Sequence, residues 1–212
     1  MQNILIYGTG GQAKVTYDAV LSQGLYRAAG FVVDDYEVEP GQTFLGLPIY
    51  HFKQLDQVSA NGTQHFIVGI GDNLTRRAKH EAMVARGFQP VTIIHSSANI
   101  GRFGQIGPGT LICAGTTIDP DVQIGEGTIV NGGAMIGHES RLGSFMHHGP
   151  GAIVAGDCRV GDHVLIGIGA MILSRLTVGN NAFVAAGAVV TKHVPEGMMA
   201  IGMPARFRAR KV

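Results

Sequence analysis

The sequence predicts an α/β domain over residues 1–92 and a parallel β-coil with a short C-terminal tail over residues 93–212. Strand and helix patterns alternate through the first 90 residues, and from Ile94 onward every sixth residue is aliphatic. The composition agrees: glycine supplies 32 of 212 residues and charged residues only 15 %. An average domain carries about 7 % glycine and about 25 % charge, so a helical bundle or coiled coil is excluded. An apolar fraction of 45 % excludes disorder. The net charge of +1 argues against nucleic acid as the main partner, because phosphate backbones select strongly basic surfaces. No run approaches about 18 apolar residues, so no membrane span is expected. Met1 leads into a strand without a basic leader or cleavage site, and Cys113 and Cys158 are too few for a disulfide framework. Both features point to a cytoplasmic protein.

In the first domain, residues 3–7 read as a buried strand, and Gly8-Thr-Gly-Gly-Gln-Ala13 turns into a helix of about 12 residues ending near Gly24. Residues 29–33 form a second strand closed by Asp34-Asp35, and residues 65–69 a third. Gly71-Asp72-Asn73 then caps a helix that runs to about Arg86. This alternation describes a small parallel sheet, half of a Rossmann-like fold. Gly8, Gly10 and Ala13 fit G-x-G-x-x-[GA] between strand and helix, where backbone can approach a phosphate at the helix N-terminus. A dinucleotide is one reading, a nucleotide-linked substrate suits the smaller domain better, and a plain tight turn is the third. Ligands of such sheets sit beyond the carboxyl ends of the strands. Gly10, Gly11 and Gln12, then Asp34 and Asp35, then Gly71 all converge there.

The second domain is defined by its repeat. The column Ile94, Ile100, Ile106 and onward to Val190 is aliphatic at every sixth position except His148. Neither a 3.6-residue nor a 2-residue period produces it. Glycine often follows the aliphatic residue, as at Gly101, Gly107, Gly125 and Gly137. These glycines are expected to supply positive φ at the corners of a coil. The pattern resembles the hexapeptide-repeat proteins, which implies a left-handed parallel β-helix with three six-residue sides per coil. At the strand spacing of about 4.8 Å the prism is roughly 27 Å tall.

Several histidines lie on this coil. His138 stands at a corner beside Glu139, and a carboxylate-paired imidazole is a candidate general base. Neighbours in extended chain point apart, so the spacing alone does not bring them together. His147 faces outward half a coil away, where it meets His138 more readily across a subunit boundary. His148 replaces an axial aliphatic residue and must be satisfied locally or displaced from the axis. His163 and His193 read as surface residues. No set of histidines has the spacing of a zinc site, so no metal is expected. Cys113 and Cys158 lack an adjacent histidine and read as packing residues.

Taken in order, several motifs carry a resemblance over almost the entire chain. They are Tyr7-Gly-Thr-Gly-Gly-Gln-Ala-Lys-Val15, Val33-Asp-Asp35, Ile70-Gly-Asp-Asn73, Asn131 with His138-Glu139, Phe145-Met-His147-His-Gly-Pro-Gly-Ala152 and Ile201-Gly-Met-Pro-Ala205. Together they resemble the bacterial sugar O-/N-acyltransferases of the sialic-acid O-acetyltransferase type. Within these, the chain looks most like N-acetyltransferases acting on nucleotide-linked 4-amino-4,6-dideoxy sugars for glycan biosynthesis. The resemblance implies acetyl-CoA as donor, a UDP-linked amino sugar as acceptor, and a homotrimer with sites between neighbouring coils. It assigns His138 as catalytic base and Glu139 as its acidic neighbour. It places Gly10, Gly11, Gln12, Asp34, Asp35 and Gly71 on the nucleotide sugar, and His147, Gly156, Ile168 and Ala186 along the acetyl-CoA groove. Two positions depart from the family: Gln12 where histidine is common, and His148 where an aliphatic residue is usual. Arg206, Arg208, Arg210 and Lys211 either meet CoA phosphates or form a solvated tail. The alternatives are O-acetylation of a sialic-acid or other sugar hydroxyl, a GDP-perosamine-type acceptor, and a non-enzymatic nucleotide-binding trimer.

Overall fold

The computed structural model describes residues 1–60 and 62–209. The N-terminal domain runs β1 (Gln2–Tyr7), α1 (Gly11–Gln23), β2 (Tyr26–Val33), β3 (Thr43–Phe44), β4 (Leu47–His51), α2 (Leu55–Ala60), β5 (His65–Val68), α3 (Asn73–Ala85) and β6 (Gln89–Pro90). Its six strands lie in the order β3-β4-β2-β1-β5-β6, parallel except for the β3–β4 hairpin. α1 stops at Gly24, whose left-handed conformation lets its N–H reach Val20 O. Asp72 caps α3 by accepting from Thr75 N at 2.8 Å. These ends agree with the sequence reading. The β3–β4 hairpin and α2 do not appear in it. The hairpin turns on Leu45 and Gly46, both at positive φ, and leucine there hides a turn normally announced by asparagine or aspartate before glycine.

From Ile93–Ile94 to Val189–Val190 the chain forms two-residue strands every six residues, and the second residue of each is the axial column. Strands pair in parallel with those 18 residues on, as Leu111 does with Ile129, so three sheets stack along a left-handed parallel β-helix. The first face presents Ile93, Leu111, Ile129 and His147 outward, the second Met135, Ile153 and Met171, the third Gln123, Arg141 and Arg159. Val130, Ile136, Val154 and Ile166 in the column are fully buried. Such a side chain contributes about 1.5–3 kcal/mol on burial. The final strands, Met198–Ile201 and Arg206–Ala209, pair antiparallel and close the last coil. Arg206 and Arg208 therefore lie on an exposed capping strand, and Arg210 and Lys211 are outside the described residues.

The glycines that follow the axial residues have a different role from the one the sequence suggested. None of Gly101, Gly107, Gly125 or Gly137 has positive φ. A Cβ on Gly107 would instead lie 2.6 Å from the backbone nitrogen of Glu126, one coil on, and one on Gly101 2.4 Å from that of Pro120. These positions are glycine because successive coils touch there. Positive φ recurs two residues later, at every sixth residue from Phe103 to Gly187. Glycine fills only part of that series, and Asp121, Glu139, Asp157, Arg175 and Asn181 occupy others.

His148 also departs from expectation. It is not displaced: the ring stays in the axial column, fully buried, and among the described residues neither nitrogen makes a hydrogen bond of ordinary geometry, although the Ala152 backbone lies close enough to favour its proton. The backbone around it is already paired, since His148 O accepts from Asn131 N and Gly149 N donates to Ile166 O.

The first face is covered by the N-terminal domain. Ile4, Ile6, Ala13 and Val20 pack with Ile93, Leu111 and Ile129 in one apolar cluster. Polar contacts fasten the other edge. Asn73 Nδ2 donates to the carbonyls of His163 and Val164, and buried His80 lies edge-on between Phe66 and Phe145. His163 is thus not a free surface residue, since its ring stacks on Phe145 and its Nε2 lies 3.1 Å from Arg77.

Candidate functional site

The carboxyl ends of β1, β2 and β5 and the N-terminus of α1 enclose a cleft of about 580 Å³. All six residues expected there line it: Gly10, Gly11, Gln12, Asp34, Asp35 and Gly71. The glycines separate the competing readings of this loop. Gly8 has φ of +105°, as a tight turn requires. Gly10 and Gly11 have no positive φ, and a Cβ on either would meet nothing within 4 Å. Neither packing nor backbone conformation demands glycine at these two positions. What their missing side chains leave open is the first turn of α1, whose cap Gly10 supplies no side-chain hydrogen bond. Unpaired N–H groups at a helix N-terminus facing a cleft form an anion site. Gly69 completes the loop, because a Cβ there would lie 2.8 Å from Ala13 Cα and push α1 off the sheet.

Two cleft residues escape the sequence reading. Thr75 and Lys79 lie one turn apart on α3 and also line the cleft, and Lys79 pairs with Asp34. The i, i+4 spacing after the glycine turn was the available signal. Gln12 Nε2 is buried here without a partner among the described residues, and the Tyr7 phenol lies against the Asp34 carboxylate. Burial and the neighbouring Asp34 carboxylate push the Tyr7 phenol well above its ordinary value, so it stays a donor.

His138 and Glu139 sit on the corner between the second and third faces. His138 Nδ1 and Glu139 Oε2 are 2.9 Å apart, with both side chains 62 % exposed. Adjacent side chains meet because Glu139 takes φ of +59°, one of the recurring left-handed corners. The carboxylate only accepts, so Nδ1 carries the proton and Nε2 is left as a base. Gly156, one coil on, lies against the ring, where an added Cβ would be 2.6 Å from Nε2.

The remaining expected residues are elsewhere on the coil. His147 is on the first face, its Nδ1 3.1 Å from Gly71 O and its Nε2 3.1 Å from Asn131 Nδ2. Burial pulls the His147 pKa below its ordinary value. Ile168, exposed, and Ala186 stand one coil apart on the corner between the first and second faces. One chain therefore puts His138 and Gly156 along one edge of the second face, and Ile168 and Ala186 along the opposite edge. Among the described residues no group of three or more histidine, cysteine or acidic side chains could hold a metal, and no helix is long and apolar enough to cross a membrane.

A nucleotide-type cleft fastened to a hexapeptide coil that carries a carboxylate-paired histidine defines the class: a two-domain hexapeptide transferase. Comparisons with known proteins agree and narrow it. Residues 3–83 match the PglD N-terminal domain, and residues 157–192 the bacterial transferase hexapeptide repeats. PerB from Caulobacter crescentus, solved with CoA and GDP-perosamine, is 32 % identical with a TM-score of 0.91, covering 98 % of each chain. The acetyltransferase domain of PglB from Neisseria gonorrhoeae, solved with acetyl coenzyme A, is 29 % identical with a TM-score of 0.88, covering 98 % of this chain and 99 % of that one. UDP-N-acetylbacillosamine N-acetyltransferase of Bacillus subtilis is 29 % identical over 115 residues, which span 54 % of this chain and 52 % of that protein. The chain belongs to the hexapeptide-repeat N-acetyltransferases of nucleotide-linked amino sugars.

Proposed function

We propose that the chain transfers the acetyl group of acetyl-CoA to the 4-amino group of a UDP-linked 4-amino-4,6-dideoxy sugar in the cytoplasm. The observation that carries the reading is the open helix N-terminus at Gly10 and Gly11, together with a free His138 Nε2 on the coil. The N-terminal domain holds the nucleotide sugar through Gly10, Gly11, Gln12, Asp34, Asp35 and Gly71. His147, Gly156, Ile168 and Ala186 line the acetyl-CoA groove. Since His138 and Gly156 lie on one edge of the second face and Ile168 and Ala186 on the other, neighbouring copies in a homotrimer complete each groove.

The neutral amine attacks the thioester carbonyl, forming the C–N bond. His138 Nε2 takes the proton from the attacking nitrogen while Glu139 steadies Nδ1–H and the resulting imidazolium. The tetrahedral intermediate then breaks its C–S bond, and the CoA thiolate leaves and takes the proton back from His138. General-base assistance of this kind contributes about 10²–10⁴-fold. A covalent acyl-cysteine has no support, since burial pushes the Cys113 thiol up to about 12 and Cys158 upward as well.

His138→Ala is expected to lower acetylation by about 10²–10⁴-fold with fold and assembly unchanged. Full activity in that variant would remove the base role. A GDP-linked acceptor of the perosamine type is the second reading, favoured by the full-length likeness to PerB. A panel of UDP- and GDP-linked 4-amino sugars with acetyl-CoA decides between the two. Turnover of a sugar hydroxyl alone would shift the reading to O-acetylation, and absence of acetyl-CoA binding by calorimetry would leave only a nucleotide-binding scaffold.

A further inference from the structure

Arg76 is almost fully buried on α3, an unusual place for a guanidinium. All five of its donors are used. Nε donates to Gly127 O at 2.7 Å, Nη1 to the carbonyls of Ile70 and Gly71 at 3.1 and 2.9 Å, and Nη2 to Asn73 Oδ1 and Met146 O at 2.8 and 2.9 Å. Two of these acceptors, Ile70 and Gly71, are walls of the nucleotide cleft. Two others, Gly127 and Met146, belong to the coil, and Met146 directly precedes His147. Arginine alone has the donors to bind both sides at once.

The same Gly71 carbonyl also lies 3.1 Å from His147 Nδ1. A carbonyl only accepts, so Nδ1 must carry the proton and Nε2 must be the bare nitrogen. The other side of the ring leads to the same assignment. Asn131 Oδ1 accepts from Gly132 N at 2.8 Å, which fixes the amide and turns its Nδ2 donor toward His147 Nε2. The guanidinium thus holds the carbonyl that orients the ring, and burial, with the guanidinium charge adding to it, opposes a second proton on His147.

We propose that Arg76 is a positioning residue for the reaction: it locks His147 in the neutral Nδ1–H tautomer and sets the nucleotide cleft in register with the coil. This rests on the reading of His147 as part of the acetyl-CoA groove. The residue acts through Gly71 and Met146 and need not touch either substrate.

The test is long-range proton–nitrogen NMR of the full chain labelled with ¹⁵N-histidine at pH 7, with His147 assigned by loss of its signals in His147→Gln. Wild type is expected to show one pattern, protonated Nδ1 and bare Nε2. In Arg76→Met and Arg76→Lys, His147 is expected to show mixed tautomers, and in Arg76→Met, which also removes the charge, to titrate at higher pH. Acetylation in Arg76→Lys should fall at least tenfold in kcat, and the acid limb of the pH profile should move upward only in the charge-free Arg76→Met. A wild-type His147 protonated at Nε2, or a tautomer pattern unchanged in Arg76→Lys, overturns the proposal. If Arg76→Met does not fold, the wild-type and Arg76→Lys spectra still decide. Inactivity of wild type on every nucleotide amino sugar would instead overturn the proposed function and leave the tautomer result standing.

Discussion

His148 occupies the interior of a column built from isoleucine, valine and leucine, and among the described residues its two ring nitrogens make no hydrogen bond of ordinary geometry. Burial pulls its pKa down to about 4, against 6.5 for the free side chain. The unfolded chain therefore binds a proton more readily than the coil does. Stability is complete above about pH 6.5 and falls as the pH drops toward 4, by about 1.4 kcal/mol per pH unit. Across that window the loss is about 3 kcal/mol. Leucine is close to histidine in volume and leaves no buried polar atom, so His148→Leu should be more stable and lose most of this slope. Denaturant midpoints at pH 7.5 and pH 4.5 measure it, and equal slopes in the two proteins would show that other groups govern acid unfolding. Gly156 makes a second test at this scale. A methyl group there collides with the His138 ring, and a base misplaced by about 1 Å loses about 10²-fold in rate. Gly156→Ala should show that loss in kcat while nucleotide-sugar binding in the distant cleft is unchanged.

Each hexad uses glycine for two separate purposes, and they carry different costs. At Gly107 an added methyl would lie under 3 Å from backbone atoms of Gly125 and Glu126, which are fixed by the coil's own hydrogen bonds. At Gly133 φ is +66° and nothing lies within 4 Å. Gly133→Ala should therefore cost only the left-handed strain, about 1–2 kcal/mol. Gly107→Ala forces neighbouring coils apart and should cost about 3 kcal/mol or more. Thermal melts of the two variants give the comparison, and a smaller loss at Gly107 would mean the coils are not in rigid contact. The six-residue column was legible because each side sends one large aliphatic side chain to the axis, and the small residues that fill in beside it, such as Ala134, Ala152 and Ala170, vary too much to mark a period. The two glycine roles were not legible, because contact between coils depends on residues 18 positions away. Glu139 shows the consequence: only the left-handed corner it occupies turns its carboxylate onto His138. The cleft residues could be read from the rule that ligands sit beyond strand ends. Arg76 could not, since its role comes from how one helix is wedged between sheet and coil.

The three faces of the prism meet different surroundings, and this shapes the assembly. The N-terminal domain covers the first face, and the third carries Gln105, Gln123, Arg141 and Arg159, suited to water. The second face shows Met135, Ile153, Met171 and Val189 in one stripe, with Met135 and Met171 about 40 % exposed and Leu173 close by. Contiguous apolar surface of this kind marks an interface. Its two edges also hold the two halves of the candidate groove, so a ring of copies would both cover the stripe and complete the site. A head-to-tail contact closes after three copies if each is rotated by one third of a turn, as a three-sided prism suits. A charge in the stripe tests cover and site together. By sedimentation the wild type is expected to run as three 22.3 kDa chains and Met171→Glu as a monomer. The substitution should also abolish acetyl transfer if, as proposed, His138 of one copy and Ile168 of the next complete the groove. Nucleotide-sugar binding should survive, since the cleft is built within one chain. A Met171→Glu protein that remains assembled, or one that is monomeric and fully active, would separate the apolar face from the chemistry.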